Sequence, residues 1–126
     1  MRYIFLFAAL VNFWGGINNL IFYNKTAQFY HYPIGNIWET LNFGGIAIVF
    51  GVIYLSFFIH RATKDMYYLI IIFAIGKFWI FISCIISYYN FNMPLLLAII
   101  MGGTDLLIGI LFIFYVFYYR NKSIVI

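Results

Sequence analysis

The residues of this chain that could do chemistry are few, and most stand inside apolar runs. "AIGKFWIF" (residues 74–81) isolates Lys77 among hydrophobic neighbours, and "MGGTDLLIG" (101–109) does the same for Asp105, with Thr104 beside it. One ammonium and one carboxylate removed from water attract each other strongly and together can grip an oxygen-bearing ligand or hold a proton. An unpaired charge at a helix centre in a bilayer costs about 2.5–3.5 kcal/mol on the insertion scale, so each needs a partner. Asn12, Gly16 and Asn19 stand at i, i+4 and i+7, one stripe of a helix, and Glu39 and Asn42 stand at i and i+3 on another. Gly102, Asp105 and Gly109, at i, i+3 and i+7, make a small–acid–small face that admits a neighbouring helix. Gly76, just before Lys77, offers similar room.

Other chemistries find little support. His31 falls in a loop and His60 at the far end of a long apolar run, about a bilayer thickness apart, so they cannot ligate one haem iron. Cys84 is the single cysteine, which rules out an intrachain disulfide or a multi-cysteine zinc site, and its apolar setting makes it a packing residue. No His, Cys and carboxylate set has metal-ligand spacing. No serine nucleophile motif occurs, and Ser83 and Ser87 read as packing hydroxyls. Nothing therefore marks an enzyme, and no metal or cofactor is expected beyond a quinone or lipid ligand. The basic residues are scattered without a polar scaffold, so no nucleic-acid partner is expected.

The elements that must position the polar residues follow from composition. Of 126 residues, 67% are hydrophobic and 8% charged, with mean hydropathy +1.03, against about 25% charged for an ordinary globular domain. That is a membrane composition. A bilayer core needs about 20 apolar residues per helix, and four runs, about 3–23, 37–60, 67–89 and 95–119, nearly exhaust a single domain over 1–126. "NKTAQFYHYPIGN" with Pro33 and Gly35, "RATKD", and "NFNMP" ending at Pro94 separate them. Short connections make antiparallel neighbours, so the expected fold is an all-α membrane protein, an antiparallel four-helix transmembrane bundle. "MRYIFLFAALVNFWGG" has features of a signal peptide, but the apolar pattern runs on to Tyr23 and is taken as a retained first span. Arg2, Arg61, Lys64, Arg120 and Lys122 fall on one side and only Lys25 on the other, so the positive-inside rule places both termini in the cytoplasm. "NKT" (24–26) and "NKS" (121–123) match the glycosylation sequon, a motif too short to weigh. Trp38 near one surface, and Tyr115, Tyr118 and Tyr119 near the other, fit interfacial aromatic belts.

Depth counting links the charges. Lys77 lies ten residues into the third span and Asp105 ten into the fourth, each about 15 Å deep at 1.5 Å per residue. Opposite charges thus share a level on consecutive antiparallel helices. Asn12 is at a similar depth, while Asn19, Glu39 and Asn42 belong to the outer half. The expected site is a cleft open to the outer leaflet, floored by Lys77 and Asp105 and rimmed by Glu39, with Asn12 and Thr104 completing the hydrogen bonds and Asn19 and Asn42 as further ligand-binding candidates. Lys77 would donate to a ligand oxygen while Asp105 orients it. Plainer readings remain beside this one. Intramembrane asparagines often only staple helices, at about 0.6 kcal/mol per bond; Glu39 suits simple solvation; and Lys77–Asp105 suits a structural bolt.

The "IGKFWIF" of the third span, the "GGTDLLIGILFIFYVF" of the fourth and the glycine-rich "NFGGIAIVFGVIYL" of the second resemble the DoxX-like group of small four-span bacterial membrane proteins. The resemblance covers most of the chain. It implies a four-helix bundle in the cytoplasmic (inner) membrane and, for some members, service to quinone-linked oxidoreductases. A more distant similarity is to sterol-isomerase and sigma-receptor-like four-helix proteins, whose closely set carboxylates are lacking here. The expected function is a multi-pass inner-membrane protein that binds an amphipathic ligand, a quinone or lipid, as accessory to a redox complex. Two alternatives stand: a small proton-coupled transporter, oligomeric, with Asp105 or Glu39 titrating, and a structural subunit of a larger membrane complex.

Overall fold

The computed structural model describes residues 1–31, 37–61 and 64–119. In hydrocarbon every backbone N–H and C=O must be satisfied within its own segment, so long apolar runs become helices whatever the helix propensity of their many Ile and Phe residues. The described residues form α1 (Tyr3–Leu20), α2 (Tyr23–Tyr30), α3 (Ile37–His60), α4 (Tyr67–Asn90) and α5 (Leu95–Tyr119), with one 3-10 turn at Lys64–Met66. The all-α architecture is as the sequence leads one to expect. Pro33 and Gly35, Arg120 and Lys122, and the "NKS" sequon lie outside the described residues.

Four helices, all but α2, are long and apolar enough to cross a membrane. Only 22–28% of each span is buried by protein, and the remaining faces carry Leu10, Trp14, Ile46, Val49, Ile72, Ile75, Ile99 and Phe114 outward. Exposure of that much contiguous apolar surface suits lipid and would not be tolerated in water. The chain is a multi-pass membrane protein.

The helices form two compact units, each built around a helix pair. In the first, Arg2–His60, α1 packs on α3 with descending partners. Phe5 meets Phe57 edge-on at 5.4 Å, the Gly51 position abuts Phe13, Asn12 reaches Ala47, and Gly16 lies against Gly44 and Ile48. The pair is antiparallel. A Cβ on Gly16 would fall 2.9 Å from the Gly44 carbonyl oxygen, so the two backbones approach as only small residues allow. Ala8, Ala9, Asn12 and Gly16 form the small buried stripe of α1.

The second unit begins at Arg61 and is the α4–α5 hairpin. Its α4 seam, Tyr67, Ile70, Ala74, Lys77 and Cys84, steps by three, four, three and seven residues, the spacing of a coiled-coil seam. Gly102, Asp105, Ile108, Gly109, Phe112, Tyr115 and Val116 answer it from α5. The turn is closed at Asn92, which adopts the left-handed conformation (φ 58°) that Asn tolerates, while the Ser87 carbonyl accepts from the N–H groups of Phe91 and Met93. Pro94 then precedes α5, and its carbonyl accepts from Ala98 N–H at 3.0 Å.

Two features differ from expectation. The first span is shorter than 3–23. Ile21 still bonds the Ile17 carbonyl, but Phe22 leaves the helical region (φ −109°, ψ 24°) and Thr26 N–H to the Phe22 carbonyl starts a separate helix, α2. In the last turns of α1, Asn18 and Asn19 turn their side-chain amides onto the carbonyls of Trp14 and Gly15 at 2.9 and 2.8 Å, and such back-bonding weakens a helix end. Tyr115, expected in an interfacial belt, is fully buried, because it continues the α5 seam three turns beyond Asp105.

Candidate functional site

Lys77 and Asp105 come together as depth counting predicts. Lys77 Nζ donates to Asp105 Oδ1 at 2.7 Å, and the side chains are only 5% and 12% exposed. A charge-assisted bond of this length at low dielectric is among the strongest non-covalent contacts a protein makes. It needs the close helix approach that glycine provides. A Cβ on Gly102 would stand 3.0 Å from that of Cys84, and one on Gly109 would stand 2.8 Å from the Phe78 ring. The two glycines, one turn below and one turn above Asp105, thus bring α5 onto α4 on both sides of the ion pair. Gly76 does not share this role. It is exposed, with nothing within 4 Å of its Cβ position, since it sits about 100° around α4 from Lys77.

Of the pair, Asp105 is the more accessible half. Thr104, next in sequence, does not point its hydroxyl there: Oγ1 donates to the Ile100 carbonyl one turn back. The charged pair lies within the α4–α5 unit, with Cys84 beside it as a packing thiol, buried against Gly102.

The asparagines are placed on the other unit or spent on their own helices. Asn12 is buried and its amide donates across to the Ala47 carbonyl of α3 at 3.3 Å, an interhelical staple. Asn19 donates to Gly15 and Asn42 to Trp38, each four residues back. Glu39 and Asn42 are exposed. Asn42 lines an open, mainly apolar groove along one face of α3 with Leu41, Gly45, Ile46, Val49 and Phe50. Ser83 likewise returns its hydroxyl to its own helix, at Ile80.

Sequence reasoning passed over one buried polar group. The Tyr67 hydroxyl, at the start of the α4 seam, is buried with no hydrogen-bond partner among the described residues. The signal was available: Tyr67 stands ten residues before Lys77 on the same three–four spacing, so it shares the buried face. Among the described residues no three His, Cys, Asp or Glu side chains come together as a metal site.

Fold and site together define a small multi-pass membrane protein with one desolvated Lys–Asp pair in the middle of a glycine-packed helix hairpin. Neither a protein-family model, nor a curated protein, nor a solved structure matches this chain.

Proposed function

We propose that the chain is a small binding or accessory protein of the bacterial cytoplasmic membrane, holding an oxygen-bearing amphipathic ligand, a quinone or a lipid, at the Lys77–Asp105 pair. The observation that carries this reading is the pair itself: two opposite charges at mid-span, 2.7 Å apart, with the carboxylate the more exposed member. Intramembrane ionisable residues are costly and mark ligand or ion sites by default. A ligand hydroxyl would donate to Asp105 and a ligand carbonyl would accept from Lys77, while the long acyl or prenyl portion would lie along the exposed apolar faces of α4 and α5. The resemblance of "IGKFWIF" and "GGTDLLIG" to the DoxX-like group supports the same reading, since some of that group accompany quinone-linked oxidoreductases. The Lys and Arg asymmetry supports an orientation with both termini in the cytoplasm.

Mass spectrometry of the protein extracted into native-lipid nanodiscs tests the proposal. A stoichiometric quinone or lipid should survive purification from wild type and be lost from Asp105→Asn and Lys77→Met. Wild-type protein that carries no such molecule, or variants that retain it, would overturn the reading.

A further inference from the structure

The short helix α2 belongs to neither the ion-pair site nor the membrane spans. Only two residues, Ile21 and Phe22, separate it from the end of α1, so its start is held at the membrane surface by the span it follows. At about 100° per residue, Phe22, Tyr23, Phe29 and Tyr30 fall within about 120° of arc, with Thr26 between them. Asn24, Lys25 and Gln28 gather on the opposite side. None of the helix's residues is fully buried; Tyr23, Thr26, Ala27 and Tyr30 are half-buried, while Phe22 and Phe29 remain 42% and 67% exposed.

The ends of α2 make it a discrete element. Phe22 breaks from α1, and His31, left-handed at φ 52°, closes the other end by donating its N–H to the carbonyls of Ala27 and Gln28. Phe29 and Tyr30 stack edge-on at 4.9 Å, keeping the aromatic stripe together. Lys25, itself exposed, reaches back and sets its ammonium over the Phe22 ring, 5.8 Å from the centroid.

We propose that α2 is an interfacial helix, lying along the bilayer surface with Phe22 and Phe29 in the headgroup–acyl boundary and Asn24, Lys25 and Gln28 toward water. Aromatic rings favour that layer, and a short helix with segregated faces at the end of a span has its apolar stripe at the depth where acyl chains begin. The partner is the lipid surface itself. A single lysine supplies little electrostatic attraction, so a zwitterionic bilayer suffices.

Spin labels placed one at a time at residues 22, 24, 28 and 29 of the full chain test this, in a Cys84→Ala background and in phosphatidylcholine nanodiscs. Labels at 22 and 29 should be several-fold more accessible to oxygen than to a water-soluble nickel chelate, and labels at 24 and 28 the reverse. Chelate access at all four sites would show a helix standing in water. Exclusion of both reagents at 22 and 29 would show cover by protein, such as a second copy. Either outcome overturns the proposal. A second variant avoids labels and the cysteine change: Phe22→Ser/Phe29→Ser should be cut by trypsin after Lys25 several-fold faster than wild type in the same nanodiscs. Equal rates would also overturn it.

Discussion

At the scale of single residues, the Lys77–Asp105 pair holds together because neither charge has an inexpensive alternative. Breaking a buried pair strands the survivor, at about 3–5 kcal/mol, whereas replacing both partners by apolar groups removes attraction and desolvation together. Lys77→Met and Asp105→Leu should therefore each lower unfolding stability in bicelles by more than Lys77→Met/Asp105→Leu does. Exchanging the charges, Lys77→Asp with Asp105→Lys, should recover part of the loss. Additivity within about 0.5 kcal/mol would mean that the two residues do not interact. The stability cycle and the ligand assay answer different questions. A pair that locks the hairpin without binding anything passes the first and fails the second.

At the scale of elements, packing rests on glycine doublets used on one side only. In Gly15–Gly16, Gly44–Gly45 and Gly102–Gly103 one member meets the partner helix of its own unit, and the other has nothing within 4 Å of its Cβ position. The same substitution should act oppositely within a doublet. Gly16→Ala places a methyl group 2.7 Å from Ile48 and 2.9 Å from the Gly44 carbonyl oxygen; overpacking of that kind costs about 1–3 kcal/mol. Gly15→Ala meets open space and should be neutral or stabilising by up to about 1 kcal/mol, through helix propensity. Thermal unfolding of both variants in one detergent would decide. Loss of stability in both would show that the outward glycine is also packed, against something beyond the described contacts.

At the scale of the whole molecule, the outward faces determine the solvent. Trp14, Trp38 and Trp79 are all exposed, so each is a native probe of its surroundings. Trp79 lies twelve residues into α4, about 18 Å along a span of 24 residues, whereas Trp38 is the second residue of α3. Lipids brominated near the acyl terminus should quench Trp79 strongly in a variant with Trp14→Phe and Trp38→Phe. Lipids brominated near the headgroup should act best on Trp38 in the variant that keeps only that residue. Quenching by aqueous iodide at Trp79 would refute a membrane-spanning α4.

Much of this was legible in the sequence for a simple geometric reason. Helices in hydrocarbon are compelled by local backbone satisfaction, and position along a helix axis is counted at about 1.5 Å per residue. The number of spans and the common level of Lys77 and Asp105 follow from counting alone. Rotation about the axis is a different coordinate. Neighbouring residues differ in it by about 100°, and which face turns inward depends on what the helix packs against. Only the tertiary structure could bury Tyr115 and leave Gly76 exposed. The same contacts decided the asparagines, because an amide bonds the nearest available carbonyl: for Asn19 and Asn42 that lies on the same helix, and for Asn12 it lies on α3. The sequence by itself determined where along its helix each polar group stands, and the tertiary structure decided which way it faces and what it holds.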